Sequence, residues 1–275
     1  MQDIHWYPGH MAKAKRQLNE LIRYLDVILE IRDARLPLTS HNSDLESLLE
    51  RKPSIVVLNK IDLAESRVTR LWAEWFRIKG TTVLEVNGKS GEGIAGIWET
   101  LSGWIDSPKS RRVLRVGVVG IPNVGKSSVL NRLMGTGSAK TGNLPGITRG
   151  KQWIKRHGFE ILDTPGLLPP KIANREAGLR LALVGTIREE IVPAYDLALL
   201  LLERYGGHLS GWEKPVPPLQ SGEEQLEWYA RKRGFLGKGG VPDLNRAVLS
   251  LLKEFRDGRL GRISLETPPD GSAAG

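Results

Sequence analysis

The 275-residue sequence has no cysteine. Neither a disulfide framework nor a cysteine-based zinc site can form, and the absence suits a reducing compartment. Long apolar runs are missing too: none approaches the roughly 20 residues that a membrane helix needs. The opening Met1-Gln2-Asp3-Ile4-His5-Trp6 has no charged n-region and no apolar h-region, so no secretory signal is expected. There is no internal repeat, and no amphipathic anchor or lipidation motif that would place the chain on a membrane. Acid is in deficit, with 31 Asp and Glu against 40 Lys and Arg and a net charge of +9. The expectation is a cytoplasmic protein with no membrane partner, monomeric when free. Its partner should be anionic, with nucleic acid the first candidate.

Hydrophobic content is an ordinary 40%, enough for one large or two modest domains. The most specific stretch is Gly120-Ile121-Pro122-Asn123-Val124-Gly125-Lys126-Ser127, which fits G-x-x-x-x-G-K-[ST]. Before it, Val113 to Val119 reads as a buried strand; after it, Ser128 to Met134 reads as a helix. Strand, glycine loop and helix together aim backbone N–H groups and a helix N-terminus at a phosphate. Gly120 and Gly125 permit angles and a close approach that a Cβ would block. Residues Asn123, Val124, Gly125, Lys126, Ser127 and Ser128 are therefore the phosphate-binding candidates. Lys126 would neutralise the β- and γ-phosphates, and the Ser127 hydroxyl would ligate Mg2+.

In chain order, a turn at Trp6–His10 leads into a helix from about Met11 to Leu25 with Lys13, Lys15, Arg16 and Arg23 off its apolar stripe. Such a face is either solvated or an RNA contact. Strands follow over Val27–Ile31, Ser54–Leu58 and Thr82–Val86. Helices are expected near Asp44–Glu50 and over Ser66–Lys79 and Glu92–Ile105. Alternating strands and helices predict an α/β fold with a mostly parallel sheet covered by helices on both faces. Lys140–Gly150 reads as an exposed loop, and Gln152–Arg156 with Phe159–Leu162 as a hairpin through His157-Gly158. Beyond Pro170 the pattern becomes helical, over Asn174–Ile187, Pro193–Tyr205, Glu223–Lys232 and Asp243–Arg256. The expected division is a nucleotide domain over 1–172, a small all-helical domain over 173–267 and a disordered tail over 268–275.

The base is chosen elsewhere. Asn59-Lys60-Ile61-Asp62 stands at the end of a β-branched strand. A carboxylate at Asp62 can accept from guanine N1–H and N2–H, whereas adenine would leave it unpaired at a large cost. Asn59 would brace the loop and meet guanine N7, and the Lys60 stem would cover the base face. Asn87-Gly88-Lys89 is placed for a backbone N–H to read guanine O6, although Ser-Ala-Lys is the more usual sequence there. Asp163 in Asp163-Thr164-Pro165-Gly166 would hold Mg2+ through water, Gly166 N–H would contact the γ-phosphate, and Thr148 is the loop threonine that closes on Mg2+. The implied ligands are GTP and GDP with Mg2+.

The base-reading loops precede the P-loop, the reverse of the usual order. A parallel sheet tolerates this, since every ligand loop still sits at the C-terminal ends of the strands. The segment after Gly166 then leads into the helical domain, which loss of the γ-phosphate is expected to reorient.

On these residues the chain resembles the YlqF/RbgA family of circularly permuted GTPases. The likeness includes Trp6-Tyr7-Pro8-Gly9-His10-Met11-Ala12-Lys13-Ala14, the Asp33-Ala34-Arg35 element, the permuted order and the helical C-terminal domain. The resemblance implies a factor acting late in maturation of the large ribosomal subunit, with GTP hydrolysis stimulated by the subunit and tied to release. It also implies that the C-terminal domain touches ribosomal RNA. Arg231, Lys232, Arg233, Lys238, Arg246, Lys253, Arg256, Arg259 and Arg262 suit that role, or form a solvated basic surface. Leu167 stands where many GTPases carry a water-orienting glutamine, so intrinsic hydrolysis should be slow. The resemblance assigns catalysis to His10, although a His after Pro-Gly is also a common turn residue. Catalytic candidates are thus His10, Lys126, Thr148 and Gly166. Asn123 matches GTPases that use bound K+ as a fixed positive charge. Three other readings stay open: a nucleotide-gated RNA-binding module acting on another structured RNA or anionic partner; a P-loop kinase or ATPase, against which Asn59–Asp62 argues; and a remodelling GTPase on another anionic partner such as a membrane surface, against which the missing anchor argues.

Overall fold

The computed structural model describes residues 23–43, 46, 52–104, 113–135, 141–142, 153–156, 158–163, 172, 174–187, 192–209 and 221–269. These residues fall into two compact units, one within Met1–Lys171 joined by the stretch from Glu266, the other within Ile172–Leu265.

Alternation of apolar strands and amphipathic helices builds the first unit: β1 (Val27–Asp33), β2 (Ser54–Asn59), α1 (Ser66–Ile78), β3 (Thr82–Val86), α2 (Ile94–Ser102), β4 (Leu114–Val119), α3 (Lys126–Met134), β5 (Thr141–Gly142), β6 (Trp153–Arg156) and β7 (Phe159–Asp163). The sheet runs β3-β2-β1-β4-β7-β6-β5. The first five are mutually parallel, and β6 and β5 continue the sheet antiparallel. All seven residues of β1 are buried, so both faces of the sheet are covered at its centre. On one face, Trp72, Ala73 and Phe76 of α1 pack on Ala34, Val56, Leu58 and Val83. Burying an aromatic or aliphatic side chain of this size stabilises by roughly 1.5–3 kcal/mol. The strand order puts the loops after β1, β2, β3, β4 and β7 on one edge.

The structure moves several boundaries set from periodicity. Helix α3 starts at Lys126, two residues before the expected start, because the P-loop runs straight into its first turn. The stretch read as exposed loop over 140–150 contains β5, which adds to the β6 edge at Thr141 and Gly142; two residues carry no periodicity to find. Helix α2 is shorter than Glu92–Ile105. The N-terminal helix and the one near Asp44–Glu50 lie mostly outside the described residues.

Four α-helices are described in the second unit: α4 (Arg175–Leu183), α5 (Ala194–Tyr205), α6 (Gly222–Lys232) and α7 (Leu244–Arg256). Side chains of Asn174, Ser221 and Asp243 accept the N–H of Ala177, Glu224 and Arg246, capping α4, α6 and α7. Leu201, Leu226, Tyr229, Leu251 and Phe255 are buried among the helices. Helix α4 stops at Leu183 rather than Ile187. There Arg256 donates from Nε to Leu183 O at 3.0 Å and from Nη2 to Ala182 O at 3.0 Å, satisfying carbonyls that a helix end leaves open. Arg256 is therefore a helix-capping residue, which corrects its reading as part of a free basic surface.

Glu266 is held by the first unit. Leu38 N–H and Thr39 N–H donate to its carboxylate at 2.9 and 3.0 Å, and Trp72 Nε1–H donates to its backbone oxygen at 3.2 Å. Charge-assisted bonds of this kind contribute roughly 1.5–3 kcal/mol each. Glu266→Ala is expected to lower the unfolding free energy by about 2 kcal/mol or more, read as a shift of the urea midpoint at constant slope. An unchanged midpoint would mean that Glu266 does not fasten the loop.

Candidate nucleotide site

The three loops predicted to hold a nucleotide are joined by one side chain. Asn59, the last residue of β2, is 2% exposed. Its Nδ2 donates to Val124 O at 2.8 Å, and its Oδ1 accepts Gly88 N–H at 2.8 Å. The P-loop and the 87–91 loop are thus fixed to the Asn59–Asp62 loop from inside. An amide nitrogen has two protons, so one donor direction of Asn59 remains beyond the bond to Val124. Asn87 Oδ1 accepts from Lys89 N–H at 2.9 Å and Ser90 N–H at 3.1 Å, which folds the 87–91 turn. Arg132 Nη2 donates to Lys89 O and ties the turn to α3.

The P-loop has the geometry its glycines foretell. Gly120 has φ +152 and Gly125 φ +94; a Cβ on Gly125 would lie 2.3 Å from Asn59 Nδ2. The glycine loop leads into the N-terminus of α3, where first-turn N–H groups lack intrahelical partners. Lys126 is 8% exposed and donates from Nζ to Ile121 O at 2.9 Å, so its ammonium lies along the inside of the loop. Ser127 and Ser128, in the same turn, are exposed. Val124 is buried, and Asn123 is exposed with φ +62.

Asp62 is half-exposed and makes no hydrogen bond or ion pair with a described residue. Its neighbour Lys60 has φ +65; among the described non-glycine residues only Asn123 shares a positive value. Lys60 Nζ donates to Asn123 O at 2.5 Å and pairs with Asp33 Oδ2 at 3.0 Å. Asp33 also accepts from Arg35 at Nε (2.9 Å) and Nη2 (2.8 Å). Burial pushes the Asp33 carboxyl up, but the Arg35 guanidinium and the Lys60 ammonium outweigh it and hold the group well below the usual carboxylate range. The sequence carried Asp33 and Arg35 only as part of a resemblance, and nothing in their spacing pairs them with Lys60.

His10, Thr148 and Gly166 lie outside the described residues. Asp163 closes β7 beside Val118 of the P-loop strand, which puts its backbone at the phosphate edge; its side chain is not described. Among the described residues no group of three or more His, Cys, Asp or Glu could hold a metal ion. An exposed hydroxyl on the first turn after the glycine loop fits a nucleotide-bound Mg2+.

A family model for 50S ribosome-binding GTPase matches residues 115–232. It begins in the P-loop strand and leaves the Asn59–Asp62 and Asn87–Lys89 loops outside. Fold and family match define a guanine-nucleotide-binding P-loop GTPase, a GTP-hydrolysing enzyme, with the Asn59–Asp62 and Asn87–Lys89 loops ahead of its P-loop. The chain is 38% identical to ribosome biogenesis GTPase A of Bacillus cereus over 97% of this chain and 95% of that one. It is 33% identical to a GDP-bound YlqF structure, with a TM-score of 0.72 over 93% of this chain and 100% of that one. A GNP-bound YlqF of Thermotoga maritima is 34% identical, with a TM-score of 0.71 over 94% and 99%. The chain belongs to the ribosome biogenesis GTPase A family, the YlqF/RbgA proteins.

Proposed function

We propose that this GTPase is an assembly factor for the large ribosomal subunit, slow on its own, stimulated by the subunit and released when GTP is hydrolysed. The observation that supports it best is the Asn59 brace joining base-reading loop, P-loop and 87–91 turn, since it pre-orders a guanine site. The family model's description as 50S ribosome-binding and the relatives' name carry the ribosomal part of the reading.

In this reading Asp62 accepts from guanine, the Lys60 stem lies against the base, and Asn87-Gly88 presents a backbone N–H to O6. Gly125, Lys126 and the first turn of α3 receive the phosphates. Ser127, Thr148 and Asp163 would hold Mg2+, which would supply positive charge against the phosphates, and Gly166 would meet the γ-phosphate. Asn123 would face a K+ adding further positive charge, and His10 would orient the attacking water. Arg231, Lys232, Lys238, Arg246 and Arg259 are exposed on the helical unit and suit contact with ribosomal RNA. The protein acts as a monomer in the cytoplasm, with the domains divided near residues 172 and 267.

The test is the GTPase rate in K+ buffer with and without isolated large subunits. Stimulation of roughly tenfold or more is expected, the scale of one added charge contact in a transition state. Full GTP binding with no stimulation would overturn the ribosomal reading. RNA binding that changes with the bound nucleotide, with no stimulation of hydrolysis by the subunit, would favour the nucleotide-gated RNA-binding module instead.

A further inference from the structure

We infer that Asp33, held by Arg35, is the positioning residue of the guanine site: it fixes the Lys60 ammonium over the P-loop and so lays the Lys60 stem flat for the base. The inference rests on the guanine reading of Asn59–Asp62.

Asp33 ends β1, which lies between β2 and β4 in the sheet, and it is in register with Asn59. Its carboxylate is 1% exposed and takes the Arg35 backbone N–H at 3.1 Å in addition to the two guanidinium bonds. A buried carboxylate with one partner is costly, and a bidentate arginine is the partner best able to offset that cost. Arg35 therefore keeps Asp33 charged whether or not Lys60 is present. The remaining direction on Asp33 Oδ2 goes to Lys60 Nζ at 3.0 Å.

Lys60 needs such an anchor. A lysine has four rotatable carbons and about 2 kcal/mol of rotamer freedom, which an exposed surface would leave intact. Here the backbone is in the left-handed region, the stem passes Gly125 (its Cε lies 3.8 Å from the place a Gly125 Cβ would take), and the ammonium meets both Asn123 O and Asp33. With backbone and tip both fixed, the methylene run between them is a preformed apolar ledge. The same bond joins the two non-glycine positions of positive φ among the described residues, Lys60 and Asn123, so Asp33 also steadies the tip of the P-loop.

The test is a cycle on the full-length chain, with affinity and dissociation rate read by fluorescent GDP and Tm recorded for each variant. Asp33→Asn removes the charge and keeps the shape; Lys60→Met keeps the stem and removes the ammonium. Asp33→Asn is expected to weaken GDP about tenfold, mainly through faster dissociation, and to have no further effect once Lys60→Met is present. A weakening by the same factor in both backgrounds, or an unchanged GDP affinity with a lowered Tm, would reduce Asp33 to a structural ion pair and overturn the inference. Asp33→Asn leaves a guanidinium buried beside a neutral amide. The companion variant D33N/R35Q removes both charges at once and is held to the same two outcomes. Competition of GDP against ADP on the unmodified chain separates the two failures: no guanine preference defeats the reading beneath, whereas a guanine preference with additive variants defeats only the role of Asp33.

Discussion

Asp62→Asn is expected to weaken GDP by roughly two to three orders of magnitude while leaving the fold intact. The side chain is half-exposed and bonded to no described residue, so its removal strands nothing inside the protein. Surface changes of this kind cost within about 0.5 kcal/mol. The loss falls on the ligand. A carboxylate accepts two N–H groups from guanine, each charge-assisted bond contributing roughly 1.5–3 kcal/mol. An asparagine has one acceptor and turns its NH2 toward a guanine N–H, donor against donor. The same geometry makes a gain measurable, because xanthine carries a carbonyl at C2 where guanine carries an amine. The introduced amide would donate to that carbonyl, and xanthosine diphosphate should displace fluorescent GDP from the variant but not from the unmodified chain. Unchanged GDP affinity would place base recognition somewhere other than Asn59–Asp62.

Gly125→Ala should abolish measurable nucleotide binding and lower stability by about 3 kcal/mol or more. Two costs add. An L-residue at φ +94 is strained by roughly 1–2 kcal/mol. The new methyl would also stand 2.3 Å from Asn59 Nδ2, closer than any contact tolerates, so the amide must leave its place. Val124 O and Gly88 N–H then lose their partner, at roughly 1–3 kcal/mol for each buried group left unsatisfied. Losing the brace releases the P-loop from the base-reading loop, so the defect should appear as lost binding and not only as a lowered melting point. GDP titration together with a urea melt decides it. A variant that melts early yet binds GDP normally would show that the Asn59 brace is dispensable to the site.

Both expectations depend on features that differ in how far the sequence reveals them. Strand, loop and helix around Gly120–Ser127 were legible because an apolar β-branched run leads into glycines, which take angles a Cβ forbids, and a helical stretch follows. Strands β1, β2 and β4 were legible because buried strands read as continuous, largely β-branched apolar runs. Strand β5 was not, since two residues carry no period. Nor were the helix ends. Helix α4 ends where Gly185 takes φ +78 and Thr186 N–H turns back to Leu181 O at 2.8 Å, and Arg256, 73 residues away in sequence, then donates to the Leu183 carbonyl.

Legible along the chain are a P-loop motif, an Asn59-Lys60-Ile61-Asp62 motif placed ahead of it and an excess of basic charge. Those follow from residue type and short spacing, which local sterics and electrostatics fix. Which groups hold the loops in shape is a matter of the fold. Asn59 reaches two loops, Asp33 meets Lys60, Arg256 turns from surface charge to helix cap, and Glu266 returns to close the loop at Leu38 and Thr39. Buried polar groups must be satisfied, but nothing in linear spacing says by whom, because the choice is made by which strands become neighbours in the sheet.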